Sequence, residues 1–155
     1  MRKLLLSVVL LFSLPSAIRI FECVCVKDPH PSSEKVKADR RRAYDQAAAV
    51  FAGKVVALDA YIIKFSLEKR WKGDSQDEVI LTTGAVRGID GTPLPDECSY
   101  HQFHLGEKYL VYAFGAGGNL KTDFCLTLQA KDAVEEEKDL DEIRAHEVIK
   151  EKSNQ

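Results

Sequence analysis

The sequence lacks most of the signals that would assign it to a common functional class. Its 22 basic and 24 acidic residues leave a formal net charge of -2, so no overall field attracts nucleic acid or an anionic membrane. The 155 residues contain no internal repeat, no Gly-x-Ser-x-Gly, no phosphate-binding glycine loop and no His-Glu-x-x-His. We therefore expect no nucleic-acid partner, no cofactor, no catalytic residue and no enzymatic activity.

Long apolar runs are scarce and confined to the N-terminus. Arg2 and Lys3 precede an apolar stretch of eleven residues, 4–14, and Pro15-Ser16-Ala17 supplies small residues for cleavage. A bilayer-spanning helix needs ~20 apolar residues, so a membrane anchor is the weaker interpretation. We expect a signal peptide over residues 1–17, a secreted, extracellular protein, and no stable membrane insertion.

Cysteine is also scarce, but its number is even: Cys23, Cys25, Cys98 and Cys125. In an exported chain, four cysteines indicate disulfides rather than free thiols. A bond between the first two would close a strained, very small ring, so each is expected to pair with one of the two distant cysteines, in either arrangement. A four-cysteine zinc site is the alternative, but such sites favour two close pairs, and this chain has one, spaced C-x-C.

The few histidines do not indicate a metal site. His101 and His104 are three residues apart, which places them on opposite faces of an extended strand. His30 lies in a proline-rich segment and His146 in a charged one, where surface histidines are the ordinary interpretation.

The bulk composition predicts one folded domain. The chain is 45% hydrophobic and 30% charged, without the low hydrophobicity and high charge of disordered proteins. Its length suits a single modest core. We assign the folded domain to residues 18–130 and a charged C-terminal helix and tail to residues 131–155, with the helix packed as far as about Val148.

A helix is expected near the start of the domain. Residues 33–49 are rich in helix formers and follow a serine cap. Their apolar positions form one thin stripe, Val36, Ala43, Tyr44 and Ala47. The run Arg40-Arg41-Arg42 is expected to face water.

Strands are expected after the helix. Apolar or alternating segments predict five or six short strands at residues 50–58, 61–71, 78–83, 100–103, 109–114 and 121–128. Gly53 inside the first of them indicates a bulge, and residues 84–95, rich in glycine and proline, predict a loop. The fold class is therefore mainly β, a small antiparallel barrel with one or two flanking helices.

The order of these motifs resembles a known family. The motifs are Cys23-Val24-Cys25, Phe51-Ala52-Gly53-Lys54-Val55, Trp71-Lys72-Gly73, Cys98, Gly106-Glu107-Lys108-Tyr109-Leu110-Val111-Tyr112-Ala113 and Cys125. Together they resemble the netrin-like domain and, more narrowly, the N-terminal domain of the tissue inhibitors of metalloproteinases, over about residues 23–128. The resemblance implies a five-stranded oligonucleotide/oligosaccharide-binding (OB) barrel. It also implies that Cys23 pairs with Cys98 and Cys25 with Cys125.

The resemblance implies an inhibitory function as well. In these inhibitors the N-terminal cysteine chelates the zinc of a target metalloprotease through its free α-amine and its carbonyl oxygen, and displaces the zinc-bound water. Cys23 would hold that zinc only if it is the mature N-terminus, and Val24 would enter the pocket beside it. The implied protease-contacting set is Cys23, Val24, Cys25, Val26, Pro95, Asp96 and Glu97.

The chain also departs from the inhibitor pattern. It has none of the cysteines of a third disulfide or of the inhibitors' second domain. Ile20 and Glu22 stand where cleavage before Cys23 requires small residues, so cleavage after Ser16 or Ala17 fits better. A retained Ile20-Phe21-Glu22 would turn the amine into an amide. The alternative function is therefore a non-inhibitory extracellular protein-binding module of netrin-like type.

Overall fold

The computed structural model describes residues 32–74, 76–94, 103–116, 118–122 and 124–153. Two α-helices flank a five-stranded antiparallel sheet and a two-stranded hairpin, so the fold is mainly β, as predicted. The elements are α1 (Ser33–Gln46), β1 (Ala49–Leu58), β2 (Ile62–Lys72), β3 (Glu78–Thr82), β4 (Val86–Arg87), β5 (Pro93–Leu94), β6 (Lys108–Ala113), β7 (Thr127–Gln129) and α2 (Val134–Ser153). Short 3-10 turns at Phe124–Leu126 and Ala130–Asp132 flank β7.

The predicted serine cap starts α1. The Ser32 hydroxyl accepts a hydrogen bond from the Lys35 N–H at 3.2 Å, which satisfies one of the free N–H groups of the first turn. The helix ends at Gln46 rather than at residue 49. Ala48 instead donates its N–H to the Ala113 carbonyl of β6 at 2.8 Å, so sheet pairing overrides the helix propensity of the alanine run.

The five-stranded sheet runs in the order β3-β2-β1-β6-β7. The pairing of β1 with β2 shifts register three times, once between Ala52 and Gly53, which confirms the predicted bulge. A Cβ on Gly53 would lie 2.8 Å from the Ser66 carbonyl oxygen, so only glycine fits this close approach of the two strands.

The described strands do not form a closed barrel, because β3 and β7 remain the edges of the sheet. One parallel bridge joins Leu81 of β3 to Leu120, and the Thr82 N–H donates to the Leu120 carbonyl at 2.7 Å. The single strand predicted over residues 121–128 is wrong. This stretch instead contains an isolated bridge at Lys121, the Phe124–Leu126 turn and the start of the three-residue β7.

Other sequence predictions need smaller corrections. Residues 84–95, predicted as a loop, contain the β4–β5 hairpin. Of the strand predicted at residues 100–103, only Phe103 is described; it is buried but lies outside any strand. The predicted C-terminal helix is present as α2 and continues to Ser153, although Val148 and Ile149 are exposed.

Two cores lie on opposite faces of the sheet. The inner core contains Ala49, Phe51, Val55, Ile63, Phe65, Leu81, Phe103, Tyr109, Val111 and Ala113. The outer core lies under the two helices and contains Tyr44, Ala47, Val50, Trp71, Leu110, Tyr112, Ala133 and Leu140. Alternate residues of β6 enter alternate cores, which explains why this strand is the most apolar in the sequence.

Candidate functional site

The site implied by the family resemblance lies almost entirely outside the described residues. This applies to the N-terminal segment Cys23-Val24-Cys25-Val26 and to the predicted ridge Pro95-Asp96-Glu97 with Cys98. Of the site residues predicted from the sequence, Cys125 alone is described. It lies in the turn Phe124–Leu126 and is disulfide-bonded, and its partner lies outside the described residues. The pairing of Cys25 with Cys125 therefore stays a prediction.

The described chain fixes both approaches to the predicted ridge. On the N-terminal side, the β4–β5 hairpin ends at Leu94, directly before Pro95. On the C-terminal side, Phe103 is buried between Phe65 and Tyr109, with ring centroids 5.5 and 4.9 Å away in edge-to-face geometry. The described chain therefore stops at an exposed hairpin strand on one side of the ridge and resumes at a buried aromatic residue on the other.

The hairpin has a tightly bonded turn. The Gly88 N–H donates to the Thr92 carbonyl at 2.8 Å, and the Asp90 carboxylate accepts from the Thr92 hydroxyl at 2.6 Å and its N–H at 3.0 Å. These bonds, led by that of the hydroxyl, lower the pKa of Asp90. The turn displays Ile89 with its side chain fully exposed.

A second turn lies beside the hairpin. Between β1 and β2, the Asp59 carboxylate accepts from the N–H groups of Tyr61 at 2.7 Å and Ile62 at 2.8 Å, which lowers its pKa. The Arg87 guanidinium of the hairpin lies 5.9 Å from the centre of the Tyr61 ring, a cation–π distance. The β1–β2 turn therefore contacts the base of the hairpin that precedes residue 95 in the chain.

The helices are held to the outer face of the sheet by carboxylates of α2. We call Glu136, Asp139, Asp141 and Glu147 the α2 carboxylates. Arg40 pairs with the first two, its Nε lying 3.2 Å from Glu136. Arg41 pairs with Glu147 at 3.2 Å. The prediction that all three arginines simply face water is thus wrong for Arg40, which is partly buried against α2.

Aromatic polar atoms complete these contacts. The Tyr112 hydroxyl donates to Glu136 at 2.8 Å, and the Trp71 indole N–H donates to Asp141 at 2.8 Å. The Tyr44 hydroxyl lies 2.9 Å from Glu147 and 3.0 Å from the Trp71 carbonyl, so its one proton is shared between two acceptors. Sequence spacing could not reveal these pairs because each joins residues far apart in the chain.

The described residues offer little metal or catalytic chemistry. No three His, Cys, Asp or Glu side chains among them gather closely enough to hold a metal ion. His104 and His146 are exposed and far apart in the chain, while His30 and His101 lie outside the described residues.

The sequence also did not indicate a cleft between β3 and the loop after β6. The only trace of it in the sequence is the glycine-rich stretch at residues 115–118, which by itself indicates no more than a turn. Neither described helix is long and apolar enough to cross a bilayer.

No protein-family model matches the chain, and no curated protein matches it significantly in sequence.

Proposed function

We propose that this chain is a secreted netrin-like domain of the metalloproteinase-inhibitor type. It binds an extracellular protein, and it inhibits a zinc metalloprotease when Cys23 is its first residue. The proposal includes a five-stranded OB barrel, the disulfides Cys23–Cys98 and Cys25–Cys125, and removal of residues 1–17 as a signal peptide.

The bridge between Leu81 and Leu120 is the observation that supports the proposal most. An OB fold is a five-stranded, partly open barrel, so its sheet must curl until its two edges approach each other. Here the pairing of β1 with β2 contains bulges, and β3 meets the segment between β6 and β7 in parallel orientation. The disulfide at Cys125 just before β7 is consistent with an N-terminal strand tied to this end of the sheet.

The inhibitory chemistry follows from a free N-terminal cysteine. A neutral α-amine and the carbonyl of the same residue form a compact bidentate ligand for an open zinc position. Two disulfides would hold that ligand rigid before binding, which reduces the entropy lost in the complex. An extension before Cys23 removes the amine and with it the chelation.

Two proteins of defined start test the mechanism. One begins at Cys23 and the other at Ile18, and both carry oxidised disulfides. We expect the first to inhibit at least one enzyme in a panel of extracellular zinc metalloproteases, measured with a fluorogenic peptide. We expect the second, and the first after acetylation of its α-amine, to be at least a hundredfold weaker.

The result that overturns zinc chelation is equal inhibition by the free and acetylated forms, or none by either. Mass spectrometry of the protein secreted from cells then identifies the natural form. A natural start at Ile18 or nearby would favour the non-inhibitory protein-binding module.

A further inference from the structure

A cleft of about 530 Å³ lies between the outer edge of β3 and the loop that follows β6. This volume is in the range of sites that hold small ligands or short peptides. One wall is Glu78 and Ile80 of β3, with Asp74 from the preceding turn. The other wall is Gly115 and Gly118 of the loop, and Leu120 lies at one end.

The β3 wall presents backbone groups that pair with none of the described strands. Thr83 donates its N–H to Tyr61 at 2.8 Å, and Asp77 accepts from Leu67 at 2.8 Å, so the odd-numbered residues of this strand bond to β2. Alternation in an antiparallel pair then turns the backbone groups of Glu78, Ile80 and Thr82 to the other edge.

Among the described residues, Leu120 alone pairs with that outer edge, at its far end. The Thr82 N–H is taken by Leu120, where the parallel bridge ends. The described part of the chain gives no hydrogen-bond partner to the N–H of Ile80 or to either backbone group of Glu78. An extended segment placed there would continue the edge pairing that Leu120 begins.

The opposite wall allows a backbone to approach closely. Gly115 has φ +121°, and a Cβ there would lie 2.2 Å from the Asn119 carbonyl oxygen, so this position must be glycine. A bare backbone wall leaves room for the main chain and side chains of a bound segment. The same wall stands beside the β3 edge, so a segment bound there lies between the two.

The cleft is acidic and partly apolar. Asp74 and Glu78 bring two carboxylates to it, and Glu78 is paired with Lys64 of β2 at 2.8 Å. The Ile80 side chain is 47% exposed beside them. A bound segment therefore gains from an apolar or β-branched residue against Ile80 and from a basic residue near Asp74.

We propose that this cleft binds an extended peptide segment of a partner protein, which adds a short strand to the outer edge of β3 and directs a Lys or Arg side chain toward Asp74 and Glu78. Strand addition of this kind takes its affinity from main-chain hydrogen bonds and its specificity from alternate side chains. The inference goes beyond the proposed function, since it uses no residue of the predicted protease-contacting set.

A peptide library tests the proposal directly. The probe is a positional-scanning set of immobilised, N-acetylated and C-amidated pentapeptides, incubated with the full disulfide-intact protein. We expect enrichment of Lys or Arg at one position and of β-branched residues two positions away. N-methylation of alternate backbone amides in the best peptide should weaken its binding at least tenfold, measured by fluorescence polarisation.

Ile80→Pro is the matched structural test. Proline removes the N–H that faces the cleft and leaves the bonds from β3 to β2 intact, as edge strands tolerate. We expect at least tenfold weaker binding, whereas Ile80→Val keeps the N–H and should stay within about twofold of the original protein. Glu78→Gln should reduce the preference for Lys or Arg. Circular dichroism establishes whether each variant folds. If Ile80→Pro does not fold, the N-methylated peptides test the proposal with the unmodified protein.

Three results would overturn the proposal. The first is a library in which no basic peptide binds more tightly than the acidic peptides. The second is equal peptide affinity of the Ile80→Pro and Ile80→Val proteins. The third is a dimer, detected by sedimentation, that Ile80→Pro dissociates. The last result would identify a second copy as the occupant of the β3 edge. None of these measurements depends on protease inhibition, so the two proposals fail separately.

Discussion

The two faces of the sheet are closed by different physical means. The inner core is closed by apolar packing, with Phe65 between Phe51 and Phe103 at centroid distances of 5.3 and 5.5 Å. The outer core is apolar as well, but it is bordered by aromatic side chains whose polar ends reach carboxylates of α2, as Tyr112 reaches Glu136. Stability from the inner face should therefore be insensitive to salt and pH, and stability from the outer face should depend on both.

The largest expected effect is in the inner core. Phe65 is fully buried, so Phe65→Ala removes a ring from the centre of the aromatic cluster and leaves a cavity. We expect the free energy of unfolding to fall by about 3–5 kcal/mol, measured by urea denaturation. The loss should be the same at low and high salt.

Val56→Ala is the control, because Val56 lies on the neighbouring strand and is 43% exposed. It should change stability by less than about 0.5 kcal/mol. A Phe65→Ala loss below about 1 kcal/mol would contradict the assignment of this face as the principal core.

The next effect concerns the outer face. Arg40→Leu leaves Glu136 and Asp139, both mostly buried, without their shared cation. We expect a loss of about 1–3 kcal/mol in urea denaturation, shrinking at about 1 M salt because screening weakens the original ion pairs.

Arg42→Leu is the matched control on the same helix. Among the described residues, Arg42 pairs with Asp39 of α1 itself, at 3.2 Å, and both side chains are largely exposed. Its loss should be below about 0.5 kcal/mol. Equal losses for the two variants would show that the contacts of α1 with α2 contribute no more than a surface ion pair.

The inner face was the predictable one. Alternation along residues 61–67 placed Ile63 and Phe65 correctly in a core, and Gly53 marked a bulge, because both signals are local. On the outer face the apolar stripe predicted for α1 is confirmed at Tyr44 and Ala47, but the polar contacts of this face were not predictable in the same way. Whether Arg40 meets water or Glu136 depends on how α2 crosses α1, and no short-range pattern encodes that crossing.

The candidate sites also differ in how far local sequence patterns predict them. Cys125 was expected within a strand but lies in a 3-10 turn. Strand propensity is a local property and does not indicate the residue at which an edge strand stops pairing. The cleft beside Ile80 is lined by Ala48 and by two longer segments about thirty-five residues apart, so no single segment indicates it. The predicted protease-contacting residues are based on the family resemblance alone. The inhibition assays with defined N-termini test them.

Alkaline pH should reduce the stability contributed by the outer face more than that contributed by the inner face. Burial first, and then the hydrogen bond to Glu147, raise the pKa of Tyr44 to about 12. Because this folded-state pKa lies above the ordinary value near 10, the stabilisation is fully present below about pH 10 and is lost as pH rises toward 12. In Tyr44→Phe, the decrease in the free energy of unfolding between pH 10 and 12 should be smaller than in the original protein, by about 1–3 kcal/mol.

Tyr112→Phe is the companion variant. Burial and Glu136 also raise the pKa of Tyr112, so this variant should remove a separate part of the alkaline dependence. The measurement is the urea midpoint at stepped pH from 9 to 12. An unchanged profile in both variants would mean that these hydroxyls reach water in solution.

The smallest expected effect lies at the exposed margin of the outer face, where Asp141 accepts from Lys69 and Trp71, each at 2.8 Å. The bond from Lys69 first, and then that from Trp71, lower the pKa of Asp141. A depressed folded-state pKa gives stabilisation that is present above the unfolded value near 4 and is lost as pH falls below it. Since the Asp141 side chain is 53% exposed, Asp141→Asn should cost less than about 1 kcal/mol at pH 7 and less still near pH 2.

The single tryptophan makes even this small effect measurable, since Trp71 fluorescence reports directly on the contact with α2. Asp141→Asn should shift the emission at pH 7 and reduce its change between pH 5 and 2. Glu142→Gln removes the same charge from the next residue of α2, which does not bond to Trp71 or Lys69, and should leave the emission unchanged. If both variants shift it equally, the response reflects the net charge of α2, and the outer face is then closed by general electrostatic attraction rather than by specific hydrogen bonds.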